Sequence, residues 1–299
     1  MPVNRPDLLD PYEVAQLGGV ELVAEGVVEG FLAGMHRSPF RGFSVEFAEH
    51  RPYQAGDELR YLDWRMLARS DRLLVKQYEE ETNLRAVIVM DVSRSMDWTG
   101  AERRLKKIEY AKRLAAALAL VLLRQRDATG LIAFDDAVRA IVPARSRGRQ
   151  WWTLLAAIDA LDGAGGTAAE PALRRVTDLL RRRGLVLFIS DLLLDRRLAL
   201  LALQYLRHRG HQVVVFHIMD PGEQTLEGQR EALFEDPETG AAVAVRPREL
   251  LAAYAETVGR AVREWRAACR GGGIAYHHVL TTTPFGYVLR RATARRTRS

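Results

Sequence analysis

A single cysteine, Cys269, stands in 299 residues, which excludes an internal disulfide and any cysteine-rich zinc site. That usage suits a reducing compartment. Long hydrophobic runs are missing as well: the longest, Leu114 to Leu123, falls well short of the roughly 20 apolar residues that a membrane-crossing helix needs. The start, Met1-Pro2-Val3-Asn4-Arg5-Pro6-Asp7, lacks a basic segment followed by an apolar core, so no secretory leader is expected. These absences set the expectation of a cytoplasmic chain with no membrane span. Two hydrolase signatures are absent too. There is no Gly-x-Ser-x-Gly elbow, and the glycine-rich Gly163-Ala164-Gly165-Gly166-Thr167 lacks the lysine of a phosphate-binding loop, so ATP hydrolysis by this chain is not expected.

Acidic residues are outnumbered: 44 Lys and Arg against 38 Asp and Glu give a formal charge of +6. Part of the excess lies in a basic C-terminal tail, Arg290, Arg291, Arg295, Arg296 and Arg298. No aromatic-rich basic stripe, recognition-helix pattern or zinc-finger spacing accompanies it, so the tail reads as a solvated end and nucleic acid is not the expected partner. With 48% hydrophobic residues the chain has ample material for a sizeable core.

The chain is organised around Arg85-Ala86-Val87-Ile88-Val89-Met90-Asp91-Val92-Ser93-Arg94-Ser95. Five apolar residues in a row, three of them β-branched, read as a strand covered on both faces, as in a parallel α/β sheet. The run stops at an acid followed by two hydroxyls. Ligands of open α/β sheets bind outside the carboxyl ends of strands, which makes Asp91, Ser93 and Ser95 candidate site residues. Before this strand, residues 1–83 read as a helical start followed by extended pieces and turns, with Phe43 to Phe47 and Leu73 to Tyr78 as strand candidates in a small β-rich layer. After it come a helix from Glu102 to Arg126 that is apolar nearly all round, a strand at Thr129 to Phe134, and an antiparallel edge strand at Val138 to Val142 closed by Pro143. Helices follow at Arg149 to Leu161, Glu170 to Arg183, Arg196 to His208 and Arg248 to Arg270. Strands are expected at Leu185 to Ser190, Val213 to Ile218 and Ile274 to Leu280, with a hairpin insertion near 232–246. The expected fold class is therefore α/β: a Rossmann-type sheet, mostly parallel with one antiparallel edge strand, and helices on both faces.

Handedness brings distant acids together. If the strand at Val87 leads outward to Leu131 and its hairpin partner, right-handed crossovers place the later strand at Val186 on the other side of Val87. Asp91 and Asp191, in Ile189-Ser190-Asp191, then meet at a topological switch point beneath the Gly163 to Thr167 loop. Two ionised carboxylates roughly 5 Å apart repel by about 3 kcal/mol at an effective dielectric near 20. A bound divalent cation offsets that repulsion best. The oxygen-only set Asp91, Ser93, Ser95, Thr167 and Asp191 suits a hard ion, Mg²⁺ or Mn²⁺, left electrophilic by its neutral hydroxyl ligands and able to take one further acidic oxygen from a partner.

The Asp91-x-Ser93-x-Ser95 motif with Thr167 in a Gly-Gly-Thr loop and Asp191 in Ile-Ser-Asp resembles the metal-ion-dependent adhesion site of von Willebrand factor A domains, over roughly residues 84 to 281. The preceding block, with Gly42, Phe47, Arg51-Pro52-Tyr53, Gly56-Asp57, Arg60, Asp63-Trp64, Ala68-Arg69 and Glu79-Glu80-Glu81, is similar to the bacterial domain of unknown function 58 family. What the resemblance implies is a vWA-like α/β domain at 84–299 serving as a cytosolic, non-catalytic, metal-dependent binding module. It also implies work beside a MoxR-type AAA+ ATPase in a chaperone-like or assembly system. Many relatives carry N-terminal membrane spans; this sequence shows none.

Asp97, Trp98 and Gly166 lie on loops beside the expected metal and are the candidate partner contacts, with Trp98 as an aromatic anchor. For Asp91, Ser93 and Ser95 the plain structural alternative is a helix-capping turn. The enzymatic alternative is a Mg²⁺-dependent phosphohydrolase using Asp91 as nucleophile, but that chemistry asks for an acid two residues on, where Ser93 stands. A serine hydrolase would need a histidine near Ser93 or Ser95, and His217, His277 and His278 fall in late strands.

Overall fold

The computed structural model describes residues 5–35, 50–52, 73–76, 84–163, 166, 170–225, 232–235, 242–245 and 247–293. The strand candidate at Phe43 to Phe47, the acidic run Glu79 to Glu81 and the turn around Pro237 lie outside them. Two compact units emerge, one of Met1–Arg37 with Leu84–Ser299 and one of Ser38–Asn83. In the smaller unit, β1 (His50–Pro52) pairs antiparallel with β2 (Leu74–Lys76).

In the larger unit, α1 (Pro11–Ala15) and α2 (Val20–Met35) precede β3 (Arg85–Asp91). The expected N-terminal region of 1–83 is thus divided differently: its helices join the α/β unit. The reason is the stripe Val20, Val23, Val27 and Phe31, which shares one core cluster with Leu114, Leu118 and Val121 of α3 (Lys107–Arg124). A helix apolar all round needs a second cover, and α2 supplies it. The helix begins at Lys107 instead of Glu102, because Arg104 is drawn into a 2.8 Å ion pair with buried Asp220.

The remaining elements are β4 (Ala128–Phe134), β5 (Val138–Arg145), α4 (Gln150–Asp159), α5 (Glu170–Leu179), β6 (Leu185–Ser190), α6 (Arg196–His208), β7 (Gln212–Met219), α7 (Pro221–Thr225), β8 (Ala232–Glu235), β9 (Ala242–Val245), α8 (Pro247–Gly271), β10 (Ala275–Leu280) and α9 (Phe285–Thr293). The sheet order is β10-β7-β6-β3-β4-β5, with only β4 and β5 antiparallel. Val87 pairs with Val186, so β3 is central and flanked by the strands that the crossover rule required. One core cluster, with α2, α3 and α4, covers one face; a second, with α5, α6 and Trp265 and Cys269 of α8, covers the other. Pro143 lies within β5 and does not close it. An edge position tolerates the missing N–H, and the side chain of Gln150 donates to the carbonyls of Pro143 at 3.0 Å and Thr129 at 2.7 Å where the register shifts. β8 and β9 form the expected hairpin.

Part of the basic tail is helical: α9 carries Arg290 and Arg291. Tyr110 stacks on Phe285 at 4.7 Å, and Asp7, wholly buried, takes Arg5 at 2.7 Å and Arg290 at 3.6 Å. A Cβ at Gly286 would lie 2.5 Å from Asp7 Oδ2 and 2.6 Å from its carbonyl oxygen. Gly286→Ala is therefore expected to cost about 1–3 kcal/mol of stability by overpacking, read as a lowered urea midpoint with unchanged m. No helix among the described residues is long and apolar enough to cross a membrane.

Candidate functional site

The central strand delivers Asp91 to the carboxyl rim of the sheet with its side chain wholly buried. Its Oδ1 accepts the Ser93 backbone N–H at 2.9 Å and its Oδ2 accepts the Ser190 hydroxyl at 2.6 Å. The chain then turns into a short 3₁₀ segment, Arg94–Asp97, which folds the Ser95 hydroxyl back to 3.1 Å from that of Ser93. Next door, β6 ends in Ser190 and is followed by Asp191. Leu192 adopts φ 56°, a left-handed conformation disfavoured for a branched residue, while its side chain stays buried. That turn lets the Leu192 N–H donate to Ser190 Oγ at 2.9 Å and the Leu193 N–H to Asp191 Oδ1 at 3.1 Å. Backbone strain is thus spent on fixing both carboxylates.

The two acids have opposite electrostatics. Burial, and then the neighbouring charge of Asp191, push the Asp91 carboxyl up to about 7 against the hydrogen bonds from Ser190 and Ser93. Burial would raise Asp191 as well, but the Lys107 ammonium beside it, with help from the Ser95 hydroxyl, holds it below the usual carboxylate range. Lys107 is 1% exposed and reaches Asp191 Oδ2 at 2.8 Å and Glu223 Oε1 on α7 at 2.5 Å. Its charge is kept despite burial by those two carboxylates.

Four of the five expected metal ligands, Asp91, Ser93, Ser95 and Asp191, are brought together; Thr167 lies outside the described residues. Among the partner candidates, Asp97 is tied up by Lys106 at 2.9 Å, Trp98 is 39% exposed on the rim, and Gly166 is exposed. Gly163 lies against Asp97, since a Cβ on it would sit 3.0 Å from the Asp97 Cβ. The serine hydroxyls have no histidine partner among the described residues: His217 Nδ1 pairs with the Tyr276 hydroxyl at 2.6 Å, and His278 Nε2 faces Gln224.

Sequence reasoning missed Lys107, Glu223 and the role of Ser190. Lysine in the first turn of a helix opposes the helix dipole, but with the helix expected from Glu102, Lys107 falls in its second turn, so that signal was hidden. Glu223 sits on a five-residue helix with no apolar period to reveal it.

The donor set fits a hard divalent cation. Among the described residues no group of three His, Cys, Asp or Glu side chains converges, so an ion held here would rest on two carboxylates and hydroxyl oxygens, a donor set suited to Mg²⁺ or Mn²⁺. The raised Asp91 has only neutral donors around it, and a cation beside it would offset both its burial and the charge of Asp191.

A family model described as "Protein of unknown function DUF58" matches residues 49–264. The uncharacterized protein Rv1480 of Mycobacterium tuberculosis (strain ATCC 25618 / H37Rv) is 30% identical over 246 residues, covering 79% of this chain and 74% of that protein. Among solved structures, conserved hypothetical protein BatB from Bacteroides thetaiotaomicron is 18% identical, covers 72% of this chain and 100% of its own, and superposes with a TM-score of 0.48. The vWF domain of the type V pili tip protein Mfa5 from Porphyromonas gingivalis is 11% identical, with coverage of 72% and 97% and a TM-score of 0.39.

Proposed function

The chain belongs to the family described as DUF58, and from that premise we propose that it is a non-catalytic, metal-dependent protein-interaction module. The observation that carries the reading is the convergence of Asp91, the paired hydroxyls of Ser93 and Ser95, and Asp191 at one switch point of the sheet. Mg²⁺ or Mn²⁺ would be held by these residues together with Thr167, and the bound ion would supply Lewis acidity toward a carboxylate of a protein partner. Around it the chain's own residues do the positioning: Ser190 fixes Asp91, Leu193 and Lys107 fix Asp191, and exposed Trp98 and Leu193 offer apolar surface beside the charge. The partner class that the family resemblance implies is a MoxR-type AAA+ ATPase in a chaperone-like or assembly system, with a cytoplasmic location. Phosphohydrolysis through Asp91 is the weaker alternative, because Ser93 occupies the position where an acid is needed.

Titration calorimetry with Mg²⁺ and Mn²⁺ tests the reading on the wild type, Asp91→Ala and Ser93→Ala. Heat is expected from the wild type, with loss in Asp91→Ala and about tenfold weaker binding in Ser93→Ala. Equal or absent heats in all three overturn it.

A further inference from the structure

We propose that Lys107 is an affinity-limiting residue of the rim site, an internal ammonium that Glu223 holds against Asp191 so that the chain binds a divalent cation weakly by itself. The inference rests on the metal-dependent reading above. Burial of an ammonium is costly unless it is paired, and a helix N-terminus makes it costlier. Lys107 nevertheless sits in the first turn of α3 at 1% exposure, and the compensation comes from two carboxylates on two other elements, Asp191 beyond β6 and Glu223 on α7. Glu223 is itself fixed, since its other oxygen accepts the Asp220 N–H at 2.9 Å. Asp220 in turn takes Arg104, the Gly222 N–H at 2.7 Å and the Thr281 hydroxyl at 3.2 Å. The ammonium is thus braced from behind and pressed onto the site.

The consequence is electrostatic. Both oxygens of each acid are engaged, but the donors to Asp91, the Ser93 N–H and the Ser190 hydroxyl, are neutral, whereas Asp191 takes the Lys107 ammonium at Oδ2 beside the Leu193 N–H at Oδ1. Lys107 neutralises much of the second acid's attraction for an incoming cation, leaving Asp91 as the main charged donor. A site tempered in this way gains most from one more carboxylate, the group that a partner would bring. Lys107 thereby couples cation retention to partner engagement, and Glu223 sets how firmly that coupling is held.

The test uses the full chain after treatment with chelator, comparing the wild type with Lys107→Met and Lys107→Met/Glu223→Gln. Two readouts are taken: Mg²⁺ affinity by calorimetry, and melting temperature with and without Mg²⁺. Lys107→Met is expected to bind Mg²⁺ about tenfold tighter or more, the effect of removing one nearby positive charge. Its melting temperature should fall in chelator, where two carboxylates are left facing each other, and recover on adding Mg²⁺ by more than the wild type gains. The double variant, which removes the ammonium without stranding Glu223, should melt higher in chelator than Lys107→Met and still bind more tightly than the wild type; it decides the question if the single variant does not fold. Unchanged or weaker Mg²⁺ affinity, or a melting loss identical with and without Mg²⁺, makes Lys107 a structural tie only and overturns the inference while leaving the metal site intact. Absence of Mg²⁺ binding in the folded wild type and in every variant overturns the metal-dependent reading, and this inference with it.

Discussion

Asparagine in place of Asp91 is expected to make the chelator-treated protein more stable at pH 8 while removing its affinity for Mg²⁺. The two effects come from the same charge. In the folded chain burial and Asp191 raise the Asp91 carboxyl to about 7, whereas its ordinary value is 3.8. Between those values the folded state binds more protons than the unfolded one, so stability falls as pH rises through that window and levels off above about 7. At pH 8 the ionised Asp91 therefore costs on the order of 2–4 kcal/mol in the absence of a cation. The amide introduced by Asp91→Asn carries no such charge, yet it keeps an oxygen to accept the Ser93 N–H. Cation binding should weaken by more than about a hundredfold, since the main charged donor is gone. Urea unfolding of both proteins in chelator at pH 5 and pH 8 checks the first half. Burial holds His217 neutral down to about 3 and gives both proteins an opposite slope below pH 6.5, so the difference between them reports Asp91. A wild type more stable than Asp91→Asn at pH 8 in chelator would contradict the account.

Ser190→Ala is expected to lower divalent affinity by about 10–100-fold, the usual cost of removing a group that orients a ligand. The Ser190 hydroxyl donates to Asp91 Oδ2 at 2.6 Å and accepts the Leu192 N–H at 2.9 Å. Its loss leaves a buried carboxylate short of a donor, and it releases the left-handed Leu192 turn that presents Asp191. Ser190→Thr keeps the hydroxyl and should retain most of the affinity. Calorimetry on the three proteins, with melting temperatures alongside, separates positioning from packing. Equal affinity in Ser190→Ala and the wild type would mean that the hydroxyl serves stability alone.

Much of this arrangement was legible in the sequence because period and handedness are strong constraints. The apolar run from Ala86 to Met90 announced a central parallel strand, and the short Asp135-Asp136 turn required the hairpin that forms the sheet edge. From those two, the crossover rule placed Val186 beside Val87, and the meeting of Asp91 with Asp191 followed. Less was legible where tertiary contacts override local pattern. Helix α3 starts late because Arg104 is pulled to Asp220, 116 residues away. Helix α9 hid in what composition presented as a basic tail, since its first turn is anchored by the stacking of Phe285 on Tyr110 and its basic last turn by the contact of Arg290 with Asp7. The Lys107 pairings join three elements far apart in sequence, a convergence that no local spacing encodes. Of the candidate partner residues, Trp98 is exposed on the rim, while the charge of Asp97 is paired with Lys106.

The central claim, that Asp91 and its neighbours hold a divalent ion, is tested most directly by the electron paramagnetic resonance signal of free Mn²⁺. Added to a slight excess of the chelator-stripped and dialysed wild type, Mn²⁺ at a concentration near its dissociation constant should lose a large part of its sharp six-line signal. The same addition to Asp91→Asn should leave that signal at full height. Full signal with the folded wild type, or equal loss with both proteins, contradicts the account.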